Sequence, residues 1–282
     1  YRRYKMTNLK LVADRLEQIS FPLVHEASLY AGMRSTPVLS HKAIQNEHGV
    51  PIAVVGKGYT TVQNNDAFSQ IEDAIYASAI NTTGMIRDIK ESHDGARTIV
   101  TYSFPAHKVD INDKGDNVML TIKVLNSYDG SWRLMTLVGA VREICVNGMV
   151  IGEYFSEYFQ KHTKNIDIES AVQKMGHALE VFGQNAELWT AYPSTKVSDL
   201  EATNILTRLA GGSKTLLELL QQTHVEYVDE LGKNLWALFN TLTDWSSHAK
   251  FKNEKNKAST IITREAKVRK VLPMLEALRK AA

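Results

Sequence analysis

The sequence has one cysteine, Cys145, and no uninterrupted apolar run long enough to span a membrane. A single cysteine excludes an internal disulfide and is typical of proteins in a reducing compartment. The first residues show no signal-peptide pattern. We therefore expect a cytoplasmic protein without a membrane partner.

Common catalytic motifs are also missing. The sequence contains no G-x-S-x-G, H-E-x-x-H, C-x-x-C or G-x-G-x-x-G. Its nine histidines are scattered, and no two stand four residues apart on a predicted helix, so we expect no metal site and no cofactor. A protein that is not an enzyme is favoured. A metal-dependent nuclease using Asp110, Asp113 and Asp116 is the weakest alternative.

The charges are distributed unevenly along the chain. The formal net charge is +2, but residues 250–282 carry ten Lys and Arg against three Glu, so 10 − 3 = +7. That leaves 2 − 7 = −5 for residues 1–249. A basic segment on a mildly acidic body is typical of a protein that contacts a polyanion.

Apolar spacing predicts strands in the first half of the chain and helices in the second. The predicted strands are 36–44, 50–55, 85–92, 97–104, 118–126 and 132–145, with a helix from residue 66 to 76 among them. The predicted helices that follow are 149–159, 168–189, 198–210, 214–222, 235–248 and 261–280, the last interrupted at Pro273. The fold class is therefore α+β: an antiparallel β-sheet in the N-terminal half with an inserted helix, then an all-helical C-terminal half.

Four regions follow from these patterns. They are an N-terminal arm or helix at 1–35, an antiparallel sheet core with its helix at 36–160, a helical lobe at 161–249 and a basic C-terminal tail or helix at 250–282. Residues 105–117 are expected to form a solvated polar loop, and Asn64 or Asn65 is expected to cap the inserted helix. Ser198 and Glu201 have the spacing of a capping box at the start of the predicted helix 198–210.

The central hairpin carries residue types that bind nucleic acids. Asp129-Gly130 predicts the reversal between its two strands, because glycine accepts the positive φ that a tight turn requires. Asn147-Gly148 predicts a second reversal. Arg133 and Arg142 stand on a strand otherwise suited to burial, so they are either solvent-facing or part of a sheet face that meets an anion.

Three motifs carry a resemblance to a known family. They are N-S-Y-D-G-S (126–131) with V-R-E-I-C-V-N (141–147), Y-T-T-V-Q-N (59–64), and the closing W-A-L-F-N-T-L-T-D block (236–244) with His248. In this order and at these positions the chain, from about residue 55 to 250, resembles the domain-of-unknown-function 932 family of phage and plasmid proteins. Tyr128 stands where that family's pattern has histidine, which weakens a metal or proton-transfer role there. The resemblance implies a protein of a bacterial host's cytoplasm and little about chemistry.

Single-stranded nucleic acid is the expected ligand, because binding it takes cations along the phosphates and aromatic faces for the bases. The candidate binding residues are Tyr128, Trp132, Arg133, Arg142, Lys161, Lys164, Lys250, Lys252, Lys255 and Lys257. The lysine-rich stretch 251–257 resembles a flexible segment that tracks a phosphate backbone. A second set, Asn240, Thr243, Asp244 and His248, is expected to brace a helix against the sheet. Asp244 and His248 stand one helical turn apart, which is close enough for a hydrogen bond between their side chains.

The favoured function is a phage- or plasmid-type protein of DNA metabolism that binds single-stranded DNA as a homo-oligomer without a cofactor, with annealing or recombination as the activity to be tested. The order helix, hairpin, hairpin, helix resembles the core of Rad52-type annealing proteins, an analogy of fold alone. The alternative is an interaction protein that inhibits or redirects a host factor, with the basic segment against an acidic partner.

Overall fold

The structure, a computed structural model, describes residues 16–32, 36–112, 115–143, 147–149 and 168–282. Cys145, residues 150–159 of the predicted helix 149–159 and most of the predicted N-terminal helix lie outside these residues. Met149, where the first of these helices was predicted to begin, belongs to a short strand. The α+β fold class is confirmed: antiparallel sheets occupy the N-terminal half, and most helices lie in the C-terminal half.

The strands form two antiparallel sheets. The smaller has the order β1 (His25–Ala31), β2 (Thr36–Gln45) and β3 (Pro51–Gly56). The larger has the order β4 (Ile86–Ser92), β5 (Arg97–Asp110), β6 (Asn117–Ser127), β7 (Met135–Arg142) and β8 (Asn147–Met149). Because each strand pairs with its neighbour in the sequence, the large sheet is a meander of consecutive strands.

The inserted helix α1 (Asn64–Ala77) lies between the two sheets in the sequence and buries one side. Phe68, Ile71 and Ile75 recur at helical spacing and are fully buried. The predicted cap is wrong: Gln63 is the N-cap residue and makes no side-chain cap bond. Asn65 instead bonds the backbone of Phe21, donating to its oxygen and accepting from its nitrogen, so tertiary contact uses the amide expected to cap the helix.

Residues 105–117 were predicted to be a solvated loop, and this is wrong for most of the segment. β5 continues to Asp110, with a break in register between Phe104 and Lys108. Pro105 stands in that break, where its missing N–H costs no ladder bond. Pairing then resumes with the first residues of β6, because the bulge lets the strand bend without ending.

Other differences concern strands that the sequence does not signal. β1 was not predicted, and residues 16–24 have no regular structure. The reversal expected at Asn147-Gly148 comes earlier, because Asn147 already pairs with Arg142 in the β7–β8 ladder. Short strands with exposed residues such as β1 lack the alternating apolar pattern that predicts a strand.

The helices of the second half lie close to the predicted ranges, except that the helix predicted at 214–222 extends to Leu231 and the helix predicted from 261 begins at Lys257. They are α2 (Ile168–Ala191), α3 (Asp199–Ala210), α4 (Lys214–Leu231), α5 (Leu235–His248), α6 (Lys257–Arg269) and α7 (Leu272–Ala281). The interruption at Pro273 is confirmed, since the proline stands in the first turn of α7, where its missing N–H has no helical partner in any case. The capping box at Ser198 and Glu201 is also confirmed.

Both faces of the large sheet are covered. On one face Val100, Leu120 and Ile122 belong to a core that extends from Ile19 to Leu275 and includes most of α5. On the other face a small cluster joins Ile99, Leu125 and Leu137 of the sheet to Ala258 of α6, with Trp132 and Ile262 against it. This double coverage explains why β6 is buried at nearly every position.

Among the described residues, no helix combines the length and apolar character needed to cross a bilayer.

The capping box gives a test of the helical half. Ser198→Ala removes the side-chain acceptor for the N–H of Glu201 at the start of α3, and we expect it to lower the free energy of unfolding by about 1 kcal/mol. Urea unfolding followed by circular dichroism measures the change. Ser20→Ala, at an exposed position before β1, is the control, and an equal loss in both variants would contradict the cap.

Candidate nucleic-acid interface

The turn between β6 and β7 is built by its own side chains. The Ser127 hydroxyl donates to the Trp132 carbonyl at 2.9 Å and accepts from the Trp132 N–H at 3.0 Å, which closes the loop. Asp129 accepts from the Ser131 N–H at 2.9 Å, and Gly130 takes a φ of 72°. The predicted Asp-Gly reversal is thus confirmed.

An arginine holds this turn from the neighbouring strand. Arg97 Nε donates to the Asp129 carboxylate at 2.7 Å, and its guanidinium lies 5.9 Å from the Trp132 ring centroid. The backbone N–H and the Arg97 pair lower the pKa of Asp129, outweighing the effect of its burial. Trp132 is half-buried, while Arg133 beside it is exposed. The sequence singled out both residues of the turn but missed Arg97.

The C-terminal segment returns to this turn. The Lys255 carbonyl accepts from the His93 N–H at 3.1 Å, and Ser259 bonds both Arg97 Nη1 at 3.1 Å and the Ser92 hydroxyl at 2.9 Å. Trp132 packs on the cluster that contains Ala258. Candidates more than 110 residues apart in the sequence are therefore neighbours in space.

The four candidate lysines of this segment differ in their surroundings. Lys250, Lys252 and Lys255 are exposed, and the Lys255 ammonium lies 3.5 Å from Asp94 on the β4–β5 turn. Lys257 is half-buried, 5.3 Å from the Phe251 ring. The segment 250–257 carries four lysines and one glutamate, 4 − 1 = +3.

The flexible character expected of residues 251–257 is wrong. Phe251 is buried, a short 3-10 turn spans Glu254–Asn256, and α6 begins at Lys257. Arg264 fixes the segment from within α6 by donating to the carbonyls of Ala249 at 2.6 Å and Lys250 at 3.0 Å. Phe251 and Arg264 thus hold the backbone of the lysine-bearing segment in place. The pattern of charges in the sequence reveals neither contact.

Tyr128 does not present a stacking face, contrary to the prediction. It is 3% exposed, packs with Val24, Ile44 and Val55, and its hydroxyl accepts from the Asn64 N–H at 2.9 Å. Burial raises its pKa to about 12. Its ring closes the contact between the small sheet and the turn, so it offers no exposed face on which a base could stack.

Arg142 is likewise not a surface group. It is 1% exposed and grips Asp116 with two bonds, Nε to Oδ1 at 2.6 Å and Nη2 to Oδ2 at 3.0 Å. Nη2 also donates to Glu230 of α4 at 2.9 Å, and Trp236 Nε1 donates to Asp116 at 2.8 Å. The carboxylates neutralise this arginine, so it joins the sheet to the helices and leaves the list of DNA-contacting candidates.

Lys161 and Lys164 lie outside the described residues, so their candidacy stays a prediction.

The motif residues of the chain meet in a buried polar network. Asn126 Nδ2 donates to Asn64 Oδ1 at 2.8 Å, and Asn64 Nδ2 donates to Thr98 Oγ1 at 3.0 Å. Tyr59 donates to the Ser127 carbonyl at 2.6 Å. The motif 59–64 and the turn motif 126–131 are therefore one structural unit.

A profile of the family described as "Domain of unknown function (DUF932)" matches residues 51–272, which is more than half of the chain. The chain belongs to the DUF932 family. No curated protein and no solved structure matches it. The network of the two motifs and the Arg142–Asp116 pair show what these DUF932 motifs do in the fold: they tie strands, turn and helices together.

The polar residues of α5 serve its own helix more than a site. Asn240 and Thr243 are fully buried and donate to carbonyls of Trp236, Phe239 and Asn240 within α5. Asp244 accepts from Tyr227 of α4 at 3.3 Å, and burial raises its pKa. Trp236 links α5 to the large sheet, because its Nε1 donates a hydrogen bond to Asp116, the residue before β6.

The expected Asp244–His248 hydrogen bond is not among the contacts of the described residues. His248 is exposed and lowers the pKa of Asp244 only through its charge.

The acidic stretch near β6 does not gather as a metal site in the described part of the chain. Asp110 accepts from the backbone N–H of Gly115 at 2.7 Å, while Arg142 and Trp236 occupy the oxygens of Asp116. Asp113 lies outside the described residues. Over the ranges that the structure describes, no three His, Cys, Asp or Glu side chains cluster as metal ligands would. The nuclease alternative thereby loses Asp116.

The buried ion pair predicts a large effect on stability. Asp116→Ala leaves the Arg142 guanidinium buried without its bidentate partner, so we expect the free energy of unfolding to fall by about 3–5 kcal/mol. Denaturant unfolding measures it. Asp88→Ala removes an exposed carboxylate paired with Lys90 and should cost less than about 1 kcal/mol. Similar losses in the two variants would show that the buried Asp116–Arg142 pair stabilises the fold no more than an exposed ion pair does.

His224 predicts a pH dependence. Burial chiefly lowers the pKa of His224, whose Nδ1 lies 3.0 Å from the Thr241 hydroxyl. Because His224 binds a proton more readily in the unfolded chain than in the folded one, the free energy of unfolding falls as the pH drops below the ordinary histidine pKa. Unfolding at about pH 7.5 and about pH 5.5 should show a smaller loss for His224→Gln than for wild type. The exposed His48→Gln should keep the wild-type difference, and an unchanged difference in His224→Gln would refute the assignment.

Proposed function

We propose that this DUF932 protein binds single-stranded DNA along a surface made by the β6–β7 turn and residues 250–257. The observation that carries the proposal is convergence: Trp132 packs on the cluster of Ala258, next to the lysine-bearing segment, and the Lys255 carbonyl of that segment bonds the β4–β5 turn. Arg133, the next residue after Trp132, is exposed. A half-buried tryptophan next to several exposed ammonium groups is the combination that stacks a base and neutralises phosphates.

The local charge supports this choice. Asp129 is paired with Arg97, and Asp94 lies 3.5 Å from Lys255. Glu254 lies 4.0 Å from Lys257. Lys250 and Lys252 are exposed and form no ion pair with another described residue, so their charge is available to phosphates. The strip is short, and a ring or row of copies would add such strips into one long site.

The wider biological setting belongs to the same proposal. We place the protein in the DNA metabolism of a phage or plasmid, in the cytoplasm of a bacterial host, acting as a homo-oligomer. Annealing or recombination is the proposed activity, because neutralised phosphates and splayed bases promote pairing without acid, base or metal. The protein then has no catalytic residue and no cofactor.

The lysines provide the test. Replacing Lys252, Lys255 and Lys257 together by glutamate should weaken binding of a labelled oligothymidylate, measured by fluorescence anisotropy across a salt series. Loss of three phosphate contacts should make the slope of log K against log salt less negative by about 2.

A matched control carries the same charge change elsewhere. Lys267, Lys270 and Lys280 are exposed: Lys267 lies about 15 Å from Lys257 along the axis of α6, Lys270 follows the end of α6, and Lys280 lies on α7. Their triple glutamate variant should bind nearly as wild type. Equal effects in the two variants would mean that net charge acts rather than this surface. Wild-type protein that ignores the oligonucleotide but captures an acidic host protein would favour the alternative function.

A further inference from the structure

A cleft of about 300 Å³ opens beside the β4–β5 turn. It lies where the β2–β3 turn, the segment before β1 and the start of α1 come together. Its lining includes apolar side chains, such as Phe21, Val24 and Ile52, and polar ones, among them Asn64, Glu91, Asp94 and Tyr128. The volume is at the small end of ligand-binding clefts.

The buried polar group of this cleft has an unused donor. The Tyr128 hydroxyl accepts from the Asn64 N–H, and its own hydrogen has no acceptor among the residues that the structure describes. The side chain is 3% exposed, so water replaces that bond poorly. A buried O–H without an acceptor is costly, and a ligand acceptor would recover the loss.

The carboxylate of the cleft has unused acceptors. Thr98 donates to Glu91 Oε1 at 3.4 Å, and Thr98 is itself oriented by Asn64 and, through it, Asn126. Thr98, Asn64 and Asn126 are at least 97% buried, so this chain of bonds holds one carboxylate oxygen in place. No described cation pairs with Glu91, which leaves its other lone pairs for a ligand's N–H groups.

The cleft shares a rim with the proposed strand surface. Asp94 lines the cleft and also lies 3.5 Å from the Lys255 ammonium. A DNA strand whose phosphates follow the lysines therefore passes the entrance of the cleft, and one unstacked base of that DNA strand can enter it. The cleft requires a base edge with an acceptor beside N–H donors. Guanine has O6 next to the N1 and N2 hydrogens, and two parallel donors suit one carboxylate.

We propose that this cleft takes one guanine base of the bound single strand, with Tyr128 donating to O6 and Glu91 accepting from N1–H and N2–H. The inference rests on the single-strand binding proposed above and adds a base preference to it. The apolar residues in the lining of the cleft, Phe21, Val24 and Ile52, cover the flat face of the base.

The test compares three strands of about 15 nucleotides that differ at one central position: thymine throughout, one guanine, or one inosine, which lacks the 2-amino group. Wild-type protein should bind the guanine strand about tenfold more tightly than either of the others. In Glu91→Gln the ratio between guanine and thymine strands should fall to about one. Tyr128→Phe should lower the ratio too, with a thermal melt confirming the fold.

Glu254→Gln is the control, because it neutralises a carboxylate beside the lysines but outside the cleft, and it should keep the guanine preference. Salt-dependent binding without distinction between the three strands would overturn the cleft inference and leave strand binding standing. A guanine preference that survives Glu91→Gln would also overturn it. If no strand binds, both proposals fall together.

Discussion

The fold depends on one buried ion pair, that of Asp116 with Arg142. The carboxylate enters from the residue before β6 and the guanidinium from the end of β7. Trp236 of α5 bonds the same carboxylate, and Glu230 of α4 bonds the same arginine. One pair thus connects the large sheet to two helices. Removing either partner leaves a buried charge without its closest counter-charge.

A second connection fixes the proposed DNA surface. Arg97 holds the β6–β7 turn through Asp129 and holds α6 through Ser259, while Lys123 of β6 pairs with Glu265 of α6. The turn and the lysines are therefore mounted on the same rigid sheet. Under the proposed function, this fixed backbone spacing between Trp132 and the lysines reduces the conformational entropy that strand binding costs.

The sequence predicted the strands of the large sheet and the helices of the C-terminal half, since both have strong apolar periodicity. Ser198 with Glu201, Pro273 and Asp129-Gly130 predicted local geometry correctly because capping and turn chemistry act between neighbours. β1 and the extension of β5 past Pro105 were missed. Their pairing depends on a partner strand and on a bulge, which a single strand's pattern does not contain.

Composition and local pattern by themselves determined the fold class, the positions of most helices and the basic character of residues 250–282. The tertiary structure alone decided which cations face solvent. Arg133 and Lys252 are exposed, whereas Arg142, at the end of the strand that follows the turn, is buried against Asp116. It also decided that Tyr128 lines a cleft beside Glu91. The reason is that exposure and pairing depend on contacts between residues far apart in the chain, and these form only when sheet and helices pack.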